Sequence, residues 1–407
     1  MAAGTPPAAT LCFVVQGNGK KFLIMPRLLF LLRLVAIVAV AHVYVGFRLI
    51  PDLHLTSHQQ WAGVAVLVMS CVLMPLSLVI RPFAARPWAD GVAGVGLVMM
   101  GLFSSTFVCT LLRDAVLAVI FVAADLTSTE LQVAQIKYSS AVIVLILALA
   151  ATLVGAFNAR RLAHVKRVDV PIAGLPPVLQ GFTIAQISDI HVGPTIKHGY
   201  VEHIVQAVNV LQPDLIAVTG DVVDGPVAQL SAHTRPLGEL TARHGVYLVT
   251  GNHEYYSGVN SWVAEFRRLG LHVLMNEHVV LQHMDALLVI AGVTDYSAAA
   301  FDPAQASDPA KAAVGAPAGA IRILLAHQPR SVTAAAQAGY VLQLSGHTHG
   351  GQFFPWNLFV RFQQPFVAGL HRVQDTWVYI SRGTGYWGPP KRLGAPSEIT
   401  FLKLVAA

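Results

Sequence analysis

The sequence predicts a chain in two parts: an all-α domain that crosses a membrane several times, then an α/β domain. Three observations carry that expectation. The chain is 55% hydrophobic and only 12% charged, with mean hydropathy +0.59, against the roughly 25% charge of an ordinary soluble domain. Its long apolar runs all fall before residue 158. From residue 172 onward, short β-branched runs alternate with stretches of helical spacing. Together these exclude a disordered chain, a fibrous protein and a plain soluble enzyme. A length of 407 residues allows two or three domains of about 100–200 residues each.

The elements follow in order. Residues 1–27 are a polar N-terminal segment, with Lys20, Lys21 and Arg27 at its end. Met25 opens MPRLLFLLRLVAIVAV and reads as a natural start of its own. That run is too long, and lacks the small-residue closure, for a removed signal peptide. Residues 28–157 form the membrane domain, with about four spans of the ~20 apolar residues that cross a bilayer. The first is Leu28–Leu49, the second Trp61–Ile80, the third 91–112 and the fourth Ser139–Phe157. Arg113 and Asp114 interrupt the third. It is then either one long tilted helix or a span with a short surface segment, and a fifth span over 113–124 is the competing reading. His42 and Asp90 are isolated polar groups in or beside spans, read as paired with neighbours rather than as a transport path.

Lysine and arginine near span ends set orientation. Lys20, Lys21 and Arg27 precede the first span, Arg81 and Arg86 follow the second, and Arg160, Arg161, Lys166 and Arg167 follow the fourth. The other loops hold Arg48 and Lys137. The best fit is an integral inner-membrane protein with both termini and the C-terminal domain on the cytoplasmic face. The net charge of +6 and pI near 9.3 reflect these flanks. No clustered basic stripe suggests nucleic acid. The three cysteines, Cys12, Cys71 and Cys109, imply no disulfide framework.

Residues 158–171 (NARRLAHVKRVDVP) read as a basic linker, closed by Pro171, Pro176 and Pro177. The α/β domain is then 172–407. Strands are expected at FTIAQIS (182–188), DLIAVTG (214–220), GVYLVTG (245–251), ALLVIAGV (286–293), IRILLAH (321–327) and VLQLSG (341–346). Helices are expected at 200–211 and 261–270. The Ala/Pro/Gly-rich stretch 298–320 reads as a flexible inserted loop.

Chemistry collects at the strand ends, where open α/β sheets place ligand sites. Asp189-Ile-His191 follows the first strand, Gly220-Asp221-Val-Val-Asp224-Gly225 the second, and Gly251-Asn252-His253-Glu254 the third. His327 and Gly346-His347-Thr-His349-Gly350-Gly351 follow two later ones. Of the 17 histidines, four precede residue 172 and the rest follow it. Asp189 with His191, and His347 with His349, are spaced to point the same way from an extended strand end. Imidazole and carboxylate donors suit Mn, Fe or Zn. A pair of such cations clamps both the entering and leaving oxygens of a displacement at phosphorus.

The ordered set DxH, GDxxD, GNHE, H and GHTH resembles the calcineurin-like metallophosphoesterases over about residues 180–403. It is particularly similar to a membrane-attached bacterial branch carrying GHTHGGQ and a segment like YISRGTGYWGPPKRLGAPSEITFLKL (379–404). The resemblance implies a four-layer α/β/β/α sandwich and two divalent metal ions. It implies Asp189, His191 and His349 at the first metal, Asn252, His327 and His347 at the second, and Asp221 bridging. It further implies attack by a metal-bridging hydroxide, His253 as proton donor to the leaving oxygen, and Asp224 orienting His253. Gly225 stands where protein phosphatases of the group carry Arg, which argues against a phosphoprotein substrate. Some relatives of the branch cleave the pyrophosphate of a UDP-linked acylated glucosamine, so a lipid-linked phosphodiester or pyrophosphate is the expected substrate. A soluble nucleotide diester and a non-catalytic membrane sensor or scaffold are the alternatives.

Other residues carry weaker expectations. Tyr386, Trp387, Lys391 and Arg392 form an aromatic-basic patch, with Arg392 a candidate grip on substrate phosphate. Tyr255 and Tyr256 stand beside the third motif without an assigned role. His198, His203, His233, His244, His272, His278, His283 and His371 fit no motif and read as surface or structural.

Overall fold

The computed structural model describes residues 24–80 and 87–407. The stretch 1–23, with Lys20 and Lys21, and the connection 81–86, with Arg81 and Arg86, lie outside the described residues. The chain divides near Ala150 into two compact units.

The first unit is built from α1 (Ile24–Leu49), α2 (Ser57–Val79), α3 (Trp88–Leu126) and the greater part of α4 (Val133–Arg160). These four helices are long and apolar enough to cross a membrane. α3 is a single helix of 39 residues that runs straight through Arg113 and Asp114, so neither a separate surface segment nor a fifth span forms there. The interrupting charges are accommodated by pairing. The buried Arg113 guanidinium meets Asp52 and donates to the carbonyls of Arg48 and Lys137 at 2.9 and 3.0 Å. Asp114 takes two hydrogen bonds from Arg48, at 2.7 and 2.9 Å. Buried charge is tolerated only with such partners. His42 lies 3.0 Å from Ser70 Oγ and stacks on Phe103, an isolated polar group satisfied by its neighbours.

The second unit starts inside α4. The linker expected over 158–171 is not one: α4 runs to Arg160, and His164–Ile172 is strand β1. Val168, Val170 and Ile172 point inward at the strand period, an alternation that the interleaved basic residues disguise. A domain boundary at 172 would remove this strand. Along the chain come β2 (Thr183–Ile187), α5 (His198–Val210), β3 (Leu215–Val218), α6 (Val227–Thr234), β4 (Val246–Leu248), α7 (Asn252–Ser257), α8 (Val259–Arg268) and β5 (His272–Val273). Then follow β6 (Glu277–His283), β7 (Ala286–Gly292), α9 (Pro309–Ala312), β8 (Ile321–Leu325), α10 (Val332–Gln337), β9 (Leu342–Ser345), α11 (Trp356–Phe359), β10 (Gly369–Val373), β11 (Thr376–Ile380) and β12 (Glu398–Ala406).

Two six-stranded sheets result, in the orders β1-β12-β2-β3-β4-β5 and β10-β11-β9-β8-β7-β6. β2, β3, β4 and β5 are parallel, as are β7, β8, β9 and β11. The short central strands are mostly apolar because both faces are covered, with Gln186, Arg322 and Gln343 as single polar interruptions. Ile184, Leu215 and Tyr247 of one sheet share a buried core with Ile290, Ile323 and Leu344 of the other. On the outer face of the first sheet, Ile216 and Val218 pack with Val201 and Ile204 of α5 and Trp262 and Phe266 of α8. On the outer face of the second, Leu324 and Ala326 pack with Ala312 of α9 and Ala335 of α10. The order is helix, sheet, sheet, helix, the α/β/β/α sandwich.

The stretch 298–320 differs from the flexible loop expected of its composition. Asp302 and Asp308 cap two short turns through the amides of Ala304 and Lys311, as N-cap carboxylates do. Tyr255 donates to Gln305, Asn276 donates to the Ala306 carbonyl, and Ala312 is fully buried. Capping and side-chain clasps order a segment whose composition alone suggests none.

Candidate metal centre

All five motifs lie just beyond the C-terminal ends of parallel strands. β2 delivers Asp189 and His191, β3 Asp221 and Asp224, β4 Asn252 and His253, β8 His327, and β9 His347 and His349. The extended strand ends expected from the spacing are not what aims these side chains. Asp189, His191, Asp221, His347 and His349 all have positive φ, between 52° and 71°. These side chains converge because each strand breaks into a left-handed turn, a conformation costing about 1–3 kcal/mol for a residue with a Cβ. Such strain persists only where surrounding contacts over-determine it.

The donor atoms come together in three overlapping groups: Asp189, His191 and His349; His191, Asp221 and His253; and Asp221, His327 and His347. Nε2 of His191 lies 3.1 Å from Nε2 of His349, which is 3.4 Å from Oδ1 of Asp189. Oδ2 of Asp221 is 3.1 Å from Nε2 of His327 and 3.9 Å from Nε2 of His191, so Asp221 stands between the outer two groups. Nδ1 of His347 is 3.2 Å from Nε2 of His327. Nδ1 of His327 donates to the Thr219 carbonyl at 2.7 Å, and Nδ1 of His191 donates to Asp224 at 2.8 Å. Those bonds turn each Nε2 towards the other donor atoms, the usual orientation of an imidazole whose second nitrogen is held from behind.

The donor set fits two divalent cations. Asn252 Oδ1 is buried and makes no hydrogen bond among the described residues. A buried amide oxygen without a partner costs about 1–3 kcal/mol, and a cation supplies the missing partner. Burial and the charge of His327 push the His347 imidazole down to about 3. Burial, then His191 and Arg392, hold His349 well below its ordinary value. Both rings are therefore neutral at neutral pH, as an imidazole must be to donate to a cation. Burial opposes the charge on Asp221, but His327 and His253 keep its carboxyl well below the usual range.

His253 belongs to the middle group, beside Asp221 and His191. Its Nδ1 lies 2.7 Å from Oδ1 of Asp224, and its Nε2 is 3.9 Å from Asp221. Burial disfavours its charge, yet Asp221 and Asp224 outweigh burial and raise the imidazole to about 9. The rings of Tyr256 and Trp387 flank it, with centroids 5.1 and 5.8 Å away. Gly225, two positions from Val223, uses its carbonyl to accept the buried Trp262 indole N–H at 2.9 Å.

One expected site residue sits elsewhere. Arg392 is 1% exposed. Its guanidinium donates to the carbonyls of Gly385, His349 and Ala395, and Nη2 is 3.2 Å from Nδ1 of His349. It braces the loop behind a donor imidazole and has no free edge for substrate. Tyr386 and Lys391 are likewise buried, and of that aromatic-basic patch only Trp387 is exposed. The eight histidines outside the motifs join none of the three donor groups.

Sequence reasoning missed Glu254. It is fully buried, and its carboxylate accepts the backbone N–H groups of Gly251, Val222, Asp221 and Val223 at 2.7, 2.8, 3.0 and 3.3 Å. It ties the second motif to the third. A carboxylate at the end of an otherwise explained motif was the available signal. Gly346 is explained by approach: a Cβ there would stand 2.0 Å from Ser188 Oγ and 2.2 Å from Asp189 Oδ2.

Comparison with known proteins adds relatives. The family model described as calcineurin-like phosphoesterase matches residues 182–351. A Danio rerio protein named transmembrane protein with metallophosphoesterase domain is 36% identical over 288 residues, covering 69% of this chain and 66% of that one. A Bos taurus protein of the same name is 41% identical over 267 residues, covering 63% and 60%. The chain thus spans less than two thirds of the length of either. An uncharacterized metallophosphoesterase of Aquifex aeolicus is 34% identical over 224 residues, covering 54% of this chain and 84% of that one.

Proposed function

The chain belongs to the calcineurin-like phosphoesterase family, and on that premise we propose that it is a membrane-anchored hydrolase of a phosphodiester or pyrophosphate. The observation that carries the reading is the convergence of imidazole, carboxylate and amide donors around Asp221, with the Asn252 oxygen left for a cation. Asp189, His191 and His349 would hold one divalent ion, Asn252, His327 and His347 the other, and Asp221 both. Mn, Fe and Zn suit these donors. When bound, such ions polarise a phosphoryl group and lower the proton affinity of water.

The protein's own groups supply the rest. His253 in its protonated form gives its Nε2 proton to the departing oxygen. Asp224 holds that ring by Nδ1 and stabilises its charge. The aromatic walls of Tyr256 and Trp387 limit water around the same imidazole. Gly225, in place of a guanidinium, favours a diester or anhydride over a phosphoprotein. Four membrane-capable helices and relatives named transmembrane proteins support an integral membrane protein. Arg160, Arg161, Lys166 and Arg167 support a cytoplasmic catalytic domain. Attachment to a bilayer makes a lipid-borne phosphate the favoured substrate.

The test uses the full chain in detergent. Chelation should abolish hydrolysis of bis-p-nitrophenyl phosphate, and Mn²⁺ should restore it. Hydrolysis that persists through exhaustive chelation, with metal absent by elemental analysis, overturns the reading. A phospholipid or lipid diphosphate turned over in preference to cyclic nucleotides supports the lipid assignment, and the reverse preference removes it.

A further inference from the structure

Directly after the GHTHGGQ motif runs FFPWNLFVRF (353–362), a segment to which the proposed chemistry gives no task. Phe354, Trp356, Leu358, Phe359 and Phe362 are 51%, 50%, 52%, 52% and 85% exposed, and Arg361 is exposed among them. An isolated apolar surface residue needs no explanation, but a contiguous patch does. Tryptophan, phenylalanine and leucine interleaved with a cation are the residues of a membrane–water boundary.

The segment is fixed to the site rather than hung from it. A Cβ on Gly351 (φ +76°) would stand 2.1 Å from the Cα of Asn357. Only glycine lets the chain fold back that closely, which accounts for the last glycine of the motif. Gln352 donates to the carbonyls of Trp387 and Pro389 and accepts the Trp387 N–H at 2.9 Å. Trp387 is the ring beside His253. The aromatic segment therefore adjoins the edge of the candidate metal centre.

Its depth relative to a bilayer is marked by the closing turns of α4, which belong to the same compact unit. The Lys391 stem packs on Gly155 so closely that a Cβ there would stand 2.5 Å from its Cγ, and its Nζ lies 5.1 Å over the Phe353 ring. The Arg392 amide donates to the Gly155 carbonyl, and Asn158 donates to the Arg392 carbonyl. Gly155 lies within the fourth apolar run. The loop clasping the aromatic segment is thus pinned to the end of a membrane-capable helix.

We propose that Phe354–Phe362 is an interfacial anchor that seats the edge of the candidate metal centre in the headgroup layer of a phospholipid bilayer. The proposal concerns a surface and a partner, and stands apart from the chemistry proposed above.

The full chain is reconstituted in liposomes of phosphatidylcholine carrying bromines near the headgroup end of the acyl chain. Trp356→Phe isolates the fluorescence of Trp356 by difference. That difference signal is expected to be quenched by brominated lipid, as for a ring at the headgroup level, and to resist aqueous acrylamide. Phe359→Asp with Phe362→Asp should weaken the lipid quenching while leaving bis-p-nitrophenyl phosphate hydrolysis within about twofold, since neither ring is at the donors. Quenching by acrylamide and not by bromine overturns the anchor. Shielding from both, with a cross-linked dimer that the double aspartate variant dissolves, overturns it in favour of a second copy. Loss of hydrolysis with metal removed leaves the fluorescence result unaffected, so the two readings fail separately.

Discussion

Nδ1 of His253 and Oδ1 of Asp224 are 2.7 Å apart, and the same oxygen also receives Nδ1 of His191 at 2.8 Å. One carboxylate therefore sets both the His191 imidazole and the part-exposed His253 imidazole. The double duty separates two substitutions. His253→Gln should bind metal like the parent and lose about 10²–10⁴ in turnover. Elemental analysis and kcat decide it, and unchanged turnover removes His253 from the mechanism.

Asp224→Asn should lose both. An amide that no longer attracts the imidazolium lowers turnover, and the weaker hold on His191 lowers metal affinity by about 10–100-fold. Metal titration of the variant, compared with His253→Gln, checks the second effect. Equal affinity in the two variants would show that His191 does not depend on Asp224.

Asn252→Ala removes the oxygen left without a hydrogen bond. Metal content should fall from two ions towards one per chain, with little loss of thermal stability because no hydrogen-bonded partner is orphaned. Full occupancy at both positions would exclude this amide as a ligand.

Glu254→Gln replaces an acceptor-only carboxylate facing four amides with a group that is half donor. At least one buried N–H is left unpaired, at about 1–3 kcal/mol. Thermal unfolding of the full chain should show the loss even with metal removed. A variant destabilised only when metal is present would mean that Glu254 acts through the ions.

Acid stability has a separate source. His244 sits 2.9 Å from His283, beside Phe182, with Asp214 and Arg243 also facing it. Burial first, then His283 and Arg243, outweigh Asp214 and lower its pKa below 6.5. A depressed folded value makes its contribution complete above pH 6.5 and lost as the pH falls below that value. Wild type should therefore lose more thermal stability than His244→Asn between about pH 7.5 and 5.5. Equal losses would show that this histidine does not report on folding.

The central sheets and the donor residues were legible because their signals are local. β3 and β4 are continuous apolar runs, β2, β8 and β9 are predominantly apolar, and each motif abuts one of the five. What was not legible depended on partners distant in sequence. β1 hides its alternation under Lys166 and Arg167, and only pairing with β12 reveals it. The 298–320 stretch is ordered by Tyr255 and Asn276, which no composition rule connects to it. Arg392 looked like a phosphate ligand by charge, yet its carbonyl partners are supplied by a loop closure. The left-handed turns that aim the ligands leave no trace in residue spacing.

β12 lies between β1 and β2, running parallel to the one and antiparallel to the other. The strand that leaves the last membrane-capable helix thus waits, throughout synthesis, for residues 398–406 before it has a neighbour. Until those residues are made, β1 stands as an open sheet edge. A chain cut short within β12 should be inserted but protease-sensitive, because β1 and β2 both lose their neighbour.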